Sequence, residues 1–281
     1  MAKKSEETRA ELARIADALE RLAPPPPSAG VLSSAQVFIW EGAARRLRPV
    51  STPSLPDAGV LVGLDRAKAR VAGAIEAFAA GRPSNHVLLW GARGTGKSAL
   101  ALGLACEALA KHAALKLIEV RRDEAASLPD LLPALAGRPE RVLLYCDDLS
   151  FEAPDATYKA LKSALGGGVE AAAENVLVLA TSNRKHLAPR AMAENEDRDA
   201  IRRGEAGHER LSLADRFGIS IGFYELTEAE YLAAVESHAG AAGLAASDDL
   251  RREARAFAVD RGARSGRTAA QFVAAKAGGS S

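Results

Sequence analysis

A glycine-rich turn between an apolar run and a helical stretch most constrains how this chain can fold. The apolar residues Val87-Leu88-Leu89-Trp90 lead into Gly91-Ala92-Arg93-Gly94-Thr95-Gly96-Lys97-Ser98, and an alanine- and leucine-rich stretch follows. The turn has the spacing G-x-x-x-x-G-K-[ST] of a phosphate-binding loop. Its glycines let the backbone wrap round a polyphosphate with N–H groups pointing inward, and the following helix adds its positive end. The sequence therefore predicts a strand, a phosphate-binding loop and a helix in that order.

The side chains of the loop have separate predicted tasks. Lys97 is expected to reach the β- and γ-phosphates of a nucleotide, and the Ser98 hydroxyl to ligate Mg²⁺. A glycine-rich turn that happens to precede a helix is the structural alternative, which the order of strand, loop, Lys-Ser pair and helix disfavours. The residues predicted to bind the nucleotide are those of the loop and the residue after it: Gly91, Ala92, Arg93, Gly94, Thr95, Gly96, Lys97, Ser98 and Ala99.

The composition is that of an ordinary globular protein. Of the 281 residues, 48% are hydrophobic and 26% are charged, which is enough for a sizeable core. The net charge of +1 gives no general sign of nucleic-acid or anionic-membrane binding. Cys106 and Cys146 lie in apolar segments, so we expect both to be reduced and buried. Without an apolar signal segment or a run long enough to cross a bilayer, we expect a soluble, cytoplasmic protein.

Apolar runs alternate with helical stretches through the middle of the chain, which indicates an α/β fold. Such near-continuous runs predict a parallel sheet covered on both faces, with ligands bound at the carboxyl ends of its strands. The runs lie at residues 86–90, 115–120, 142–146, 176–180 and 219–224. Residues 37–40 are a further short apolar segment, either a strand or an anchor. Beyond residue 225 the sequence predicts three helices, at 227–241, 247–261 and 265–277.

These patterns divide the chain into four predicted parts. Residues 1–30 form a charged helix with an apolar stripe on one face, followed by a proline-rich linker. Residues 31–225 form the α/β core, residues 226–277 a small helical lid, and residues 278–281 a disordered tail. The polar stretch 188–210 interrupts the core, and two interpretations of it stay open: a functional, mobile loop or a disordered surface excursion.

Two adjacent acids, Asp147 and Asp148, follow the apolar run at 142–146. A phosphate-loop site needs one acid for the Mg²⁺ shell and one to polarise the attacking water. We assign Asp147 to the metal, mainly through water, and Asp148 to activating the nucleophile. Glu152 stays open as an alternative base, because the Asp148 side chain is one methylene shorter than a glutamate at that position. A solvated Asp-Asp turn is the structural alternative.

Asn183 ends the polar continuation of the run at 176–180. A polar side chain there, beside the phosphate site, can orient the attacking water or sense the γ-phosphate. Asparagine also often simply caps a turn. The position alone therefore gives a weak signal, and it gains weight only from the motifs around it.

This order of motifs resembles that of the AAA+ ATPases, and more closely that of a bacterial family of uncharacterised AAA+-type ATP-binding proteins. The resemblance extends from about Val37 to Val273, on the stretches 88–98, 146–152, 180–184, 211–218 and 264–267. It implies an AAA+ core with a five-stranded parallel sheet of strand order 5-1-4-3-2, a helical lid, and ATP with Mg²⁺ as ligands. Adenine is implied by the resemblance alone, since no base-reading residue can be named.

Three arginines acquire roles through the same resemblance. Arg216, just before the last strand, matches the arginine finger, which points into the site of a neighbouring subunit and stabilises charge on the γ-phosphate. An intramolecular pair with Asp215 or another acid is its structural alternative. Arg267 matches the second sensor, which ties the lid to the γ-phosphate, and Arg264 is the alternative for that role. A solvated basic helix end would explain either residue without any ligand.

The leading functional hypothesis is an AAA+ ATPase that hydrolyses ATP to drive conformational change or remodelling of a protein partner. Its finger in trans implies a homo-oligomer. The alternative is a slow-turnover, ATP-gated switch or adaptor, which the short side chain of Asp148 favours. A DNA-associated loader has only fold analogy in its support. Because the chain is nearly neutral and lacks a cluster of base-stacking aromatic residues, we expect nucleic acid to be an unlikely partner.

Overall fold

The computed structural model describes residues 11–12, 14–15, 29–149, 160–162, 165–166, 173–183 and 216–279. Within these ranges the helices are α1 (Asp65–Ala79), α2 (Lys97–Lys111), α3 (Leu128–Leu135), α4 (Glu228–Ala241), α5 (Asp248–Asp260) and α6 (Gly266–Ala277). The strands are β1 (Val37–Glu41), β2 (Arg46–Pro49), β3 (Val87–Gly91), β4 (Leu115–Val120), β5 (Arg141–Cys146), β6 (Val176–Ser182) and β7 (Ile219–Phe223). The predictions for Glu152, the stretch 188–210 and most of residues 1–28 lie outside the described residues.

The strands form one seven-stranded sheet of order β2-β1-β4-β5-β6-β3-β7. The prediction of a five-stranded sheet of order 5-1-4-3-2 is therefore wrong for the sheet as a whole, because two N-terminal strands extend it. The strands from the phosphate-loop strand onward occupy the contiguous part β4-β5-β6-β3-β7, and every pairing among them is parallel. Their carboxyl ends consequently meet at one edge of the sheet.

The added strands form a short hairpin on the β4 side. β1 pairs in parallel with β4 and antiparallel with β2, so residues 37–40 belong to a strand rather than an anchor. Only Leu47 of the four β2 residues is buried. Arg46 and Arg48 instead donate to the carboxylate of Glu41, each at 2.7 Å. A four-residue strand with one buried side chain leaves almost no apolar signal, which is why the sequence pattern does not predict it.

Helices cover both faces of the sheet, as the continuous apolar runs predict. Side chains alternate along β5, so that Val142, Leu144 and Cys146 point into one hydrophobic cluster and Leu143 and Tyr145 into the other. Helix α3 packs in the first cluster. Helices α1 and α2 pack in the second, which lies on the side where the phosphate-loop helix begins.

The cysteine prediction holds for one residue only. Cys146 is fully buried in β5, where burial raises the pKa of its thiol to about 12. Cys106 is exposed, although we expected it to be buried. It lies on the outward side of α2, whose buried residues occupy the opposite face. An apolar helical stretch is thus not buried all round, and composition alone cannot say which side a small residue takes.

The C-terminal helical region forms its own hydrophobic cluster, built from α4, α5 and α6. Each helix begins after a capping side chain: Thr227, Ser247 and Ser265 each accept a backbone N–H from the first helical turn. Thr227 and Glu230 complete a reciprocal capping box. Within the described ranges, no helix combines the length and the apolar character needed to cross a membrane.

Candidate functional site

A cleft of about 670 Å³ lies at the carboxyl edge of the sheet, between the core and the C-terminal helices. The phosphate loop forms its floor, the ends of β5 and β6 form one wall, and α4 and α6 form the other. Of the residues predicted as site residues, the cleft is lined by Arg93, Gly94, Thr95, Gly96, Lys97, Ser98, Ala99, Asp147, Asp148, Asn183 and Arg267. Gly91 and Ala92 lie behind the loop, where Ala92 N donates to the carbonyl of Phe223 at 2.9 Å. Most of the predicted set therefore comes together.

Glycine is required in the loop for two different reasons. Gly94 and Gly96 have positive φ values of 75° and 96°, which residues with a Cβ atom rarely adopt. Gly91 has φ of 124°, and a Cβ atom there would lie 2.0 Å from the carbonyl oxygen of Phe223. The loop thus leaves β3 in contact with the backbone of β7, and only glycine fits between them.

We expect Gly91→Ala to lower the free energy of unfolding by about 3 kcal/mol, since it combines a strained φ with overpacking against a backbone atom. Gly137→Ala is the matched control, because Gly137 also has positive φ, 70°, but has open space around its Cβ position. That control should cost about 1 kcal/mol. Urea unfolding measures both, and equal losses would contradict the contact argument.

Lys97 is buried at the first turn of α2. Its Nζ donates to the carbonyls of Ala92 at 2.6 Å and Gly91 at 3.1 Å, so the side chain folds over the loop. Burial lowers the pKa of Lys97, the carboxylates of Asp148 and Asp147 oppose that shift, and two arginines add to it. The ammonium is therefore a poorly hydrated cation on a loop shaped for anions, which is what recognition of a polyphosphate requires.

Asp147 sits directly beyond β5 and is held by hydroxyl groups. Ser98 Oγ donates to its Oδ1 at 2.8 Å, Tyr145 OH at 2.7 Å and Thr181 Oγ1 at 2.7 Å. Burial alone would raise the pKa of the Asp147 carboxyl, but these hydrogen bonds outweigh burial and lower it. Burial and the Asp147 charge in turn raise the pKa of Tyr145, so its hydroxyl stays a donor.

Asp148 projects from a backbone with φ of 49°, a left-handed conformation that is uncommon for residues other than glycine. Its backbone N donates to Thr181 Oγ1 at 2.9 Å, which fixes the turn. Its Oδ1 accepts from Asn183 Nδ2 at 2.6 Å, and Arg122 NH1 lies 3.9 Å from its Oδ2. The carboxylate is thus held between an amide and a guanidinium at the rim of the cleft.

The donor set at this edge fits a magnesium ion. Ser98, Asp147, Asp148 and Asn183 all offer oxygen atoms, the ligands that Mg²⁺ prefers. The part of the chain that the structure describes contains no group of three His, Cys, Asp or Glu side chains placed to hold a metal. Mg²⁺ in nucleotide sites takes only one or two protein ligands and completes its shell with phosphate and water. Ser98 and Asp147 can fill that limited role.

The far end of the cleft is apolar. It is lined by residues of the segment before α1 and of the C-terminal helices: Val60, Leu61, Val62, Leu64, Leu226, Ala234, His238 and Ala270. Ser237 Oγ donates to the carbonyl of Val60 at 2.9 Å, so α4 and this segment are tied together. Burial lowers the pKa of His238, which keeps its imidazole neutral at pH 7. Apolar walls with one neutral polar ring suit a flat heteroaromatic base.

The three predicted arginines lie in different places. The backbone N of Arg267 donates to the carbonyl of Gly94 at 3.1 Å, which joins the start of α6 to the phosphate loop. Arg264 lines a separate surface pocket instead of the cleft, and its NH1 lies 3.8 Å from Oε2 of Glu228. Arg216 NH1 donates to the backbone carbonyl of Gly166. Glu152 and Asp215 lie outside the described residues.

Besides the apolar end of the cleft, three polar residues around the two acids were missed by sequence reasoning. By its sequence context Tyr145 is a core residue of an apolar strand. Only its spacing of two from Asp147 indicates that the two side chains point to the same side of the sheet. Thr181 stands two residues before Asn183, inside the matched stretch 180–184, but that resemblance assigns no role to it. Arg122 follows β4, and its approach to Asp148 depends on the pairing of β4 with β5. These contacts become visible only once neighbouring strands are known.

The chain is similar to one protein family and to several solved structures. A family profile described as "Protein of unknown function (DUF815)" matches residues 33–280. A solved RuvB mutant from Thermotoga maritima is similar to the chain with 19% identity and a TM-score of 0.53, over 78% of this chain and 65% of RuvB. The Aeropyrum pernix Orc1 protein, solved in complex with DNA, matches with 14% identity and a TM-score of 0.56, over 79% and 63%.

These similarities show the fold alone. The chain shares the fold of RuvB and Orc1, which is the AAA+ P-loop fold that its motifs predict. The matched part spans less than two thirds of either neighbour. No curated protein matches the chain. Because the Orc1 structure is a complex with DNA, the expectation that nucleic acid is an unlikely partner has no support from this neighbour.

Proposed function

The chain belongs to the family described as "Protein of unknown function (DUF815)", and we propose that this member is a cytoplasmic, Mg²⁺-dependent ATPase. The observation that carries the proposal is a pair of hydrogen bonds, from Ser98 to Asp147 and from Asn183 to Asp148, beside the buried Lys97. A structural turn has no need to gather a cation, two acids and an amide at one end of an apolar cleft. A site that binds and cleaves a nucleoside triphosphate needs all of them.

Each residue of the cleft has a separate task. Lys97 and the loop backbone bind the phosphates, and the apolar end of the cleft holds the base. Ser98 and Asp147 would hold Mg²⁺, which would supply positive charge to neutralise the phosphates. Asp148 accepts a proton from the attacking water while Asn183 orients that water. Arg267, at the start of α6, links the position of the C-terminal helices, residues 226–277 as we divide the chain, to the γ-phosphate.

A slow-turnover, ATP-gated switch is the second candidate. One observation favours it: the Arg216 guanidinium is engaged within its own chain, on the carbonyl of Gly166, rather than turned outward. A finger must leave that contact to reach a neighbour. Phosphate release per chain, measured over a range of protein concentrations, separates the two. A rise with concentration supports the ATPase, tight ATP binding with slow constant turnover supports the switch, and failure to bind ATP contradicts both.

We expect Asp148→Asn to lower ATP turnover about 100-fold, because a general base contributes on that order, while ATP affinity changes little. Asp147→Asn should instead raise the Mg²⁺ concentration needed for binding, since the metal loses its carboxylate. Phosphate-release assays and calorimetric titrations over a series of Mg²⁺ concentrations measure these effects.

Asparagine is isosteric with aspartate in both variants, so each variant is the control for the other. If Glu152→Gln abolishes hydrolysis and Asp148→Asn does not, the assignment of the base to Asp148 is wrong.

We propose a protein as the target of the ATP-driven change, because the net charge of +1 offers little attraction for a polyanion. The similarity to Orc1 makes the opposite outcome worth measuring. Fluorescence anisotropy with labelled duplex and single-stranded DNA, at low and physiological salt and with ATP present, decides it. Binding that persists at physiological salt would contradict a protein target.

A further inference from the structure

Three hydroxyl groups donate to Oδ1 of the Asp147 carboxylate, and two of them, those of Tyr145 and Thr181, lie outside the phosphate loop. We propose that Tyr145 and Thr181 are positioning residues, which lock the Asp147 carboxylate so that its second oxygen, Oδ2, faces the metal of a bound nucleotide. This inference rests on the proposed function, and it adds two residues to the machinery of that site.

The position of Tyr145 follows from the alternation of side chains along β5. Tyr145 is the second-last residue of the strand and Asp147 is the first residue beyond it, so the alternation, continued by one residue, places both side chains on the same side. The tyrosine ring is 2% exposed and packs in the hydrophobic cluster beneath α1 and α2. A buried phenol needs a hydrogen-bond partner, and here that partner is Asp147 Oδ1 at 2.7 Å. The rigid ring thus aims one donor from the core at the metal-binding acid.

Thr181 reaches the same oxygen from the neighbouring strand β6. Its hydroxyl accepts the backbone N–H of Asp148 at 2.9 Å and has a single proton, which it donates to Asp147 at 2.7 Å. The backbone N of Leu149 also donates to the Thr181 carbonyl, at 2.8 Å. One residue therefore fixes both the carboxylate of Asp147 and the backbone that carries Asp148.

The three donors leave the carboxylate little freedom. A carboxylate oxygen offers about two lone-pair sites, so the three hydroxyl donors share them and leave no acceptor capacity on Oδ1. Among the described residues no side chain donates to Oδ2. Rotating the group would break these three hydrogen bonds at once, so the direction of Oδ2 is fixed together with that of Oδ1. Groups that orient a metal ligand in this way change metal affinity about 10- to 100-fold when removed.

A purely structural role is the competing explanation, in which the Tyr145 hydroxyl only satisfies a buried acid. Tyr231 provides a matched control for it. Tyr231 is 1% exposed, and its hydroxyl donates to the carbonyl of Ala254 at 3.0 Å within the C-terminal helical cluster. Removing either hydroxyl deletes one buried hydrogen bond of a tyrosine, but only Tyr145 contacts the site.

The test measures metal binding directly, with Mn²⁺ as the probe and electron paramagnetic resonance as the readout, on the full chain loaded with ADP. We expect Tyr145→Phe to weaken Mn²⁺ binding about 10-fold, with ADP affinity in EDTA unchanged. Thr181→Val should weaken Mn²⁺ binding as well. Tyr231→Phe should change neither affinity, although it lowers the melting temperature.

Wild-type Mn²⁺ affinity in Tyr145→Phe, with a loss of melting temperature like that of Tyr231→Phe, would overturn the assignment of Tyr145. Should Tyr145→Phe fail to fold, Thr181→Val decides, because its hydroxyl meets the same oxygen. A wild-type protein that binds no ADP contradicts the proposed function and this inference together. Normal ADP binding with Mn²⁺ affinity unchanged in both variants contradicts this inference alone.

Discussion

Replacing Lys97 by alanine should weaken ATP binding about 10³-fold, because removing one partner of a buried ionic contact costs about 4 kcal/mol. The Lys97 ammonium is buried on the loop, and the proposed function assigns it to the β- and γ-phosphates. Its own burial disfavours the charge, so the variant should fold as well as the wild type does. Titration calorimetry with Mg-ATP measures the loss.

Lys111→Ala is the control, since Lys111 ends the same helix but is exposed and pairs with Glu76 at 3.0 Å. That variant should bind ATP like the wild type. Near-wild-type affinity in Lys97→Ala would remove the basis for assigning the loop to phosphate binding.

Arg216→Ala should lower the turnover of the assembled protein on the order of 10³-fold, which is the usual contribution of an arginine finger, without weakening ATP binding. A finger acts in trans, so if Arg216 has this role, wild-type turnover per chain rises with protein concentration and the variant does not show this rise. Arg252→Ala is the control, because Arg252 is a largely exposed arginine on α5 that pairs with Asp249. Phosphate release over a concentration series measures all three proteins.

Mixing two inactive variants gives the sharper test. In a mixed assembly of Lys97→Ala and Arg216→Ala chains, some interfaces pair an intact loop with an intact arginine, and those should recover activity. If the mixture stays inactive while both variants still assemble, Arg216 is not a finger and the switch gains support. The same conclusion follows if wild-type turnover is independent of concentration in a protein that stays monomeric with ATP.

Local features of this protein could be predicted from sequence because their physics is local. The phosphate loop needs its glycines, lysine and hydroxyl at fixed spacing, and the structure places Gly94 to Ser98 along the floor of the cleft. The C-terminal helices begin within one residue of the predicted positions, since Thr227, Ser247 and Ser265 cap them. Such signals need no knowledge of distant contacts.

What the sequence did not reveal depends on pairings between distant residues. Thr181 contacts Asp147 only because β6 lies beside β5. The contact of Arg216 with Gly166 joins residues fifty positions apart. Strand β2 escaped prediction because its stability comes from pairing with β1 and from Glu41 rather than from a buried face. In each case the local sequence carries no distinctive signal, and the role depends on a partner that is distant in the chain.

The N-terminal hairpin has a consequence for the aggregation of this protein. Strand β4 is almost wholly buried, and without β1 its backbone edge would be a template for adding strands from other molecules. The hairpin replaces that edge with a four-residue strand that carries two arginines and ends in a proline, a poor template for further pairing. Residues 37–49 are therefore a built-in safeguard against edge-to-edge aggregation, and a fragment that begins at the phosphate-loop strand would lack it.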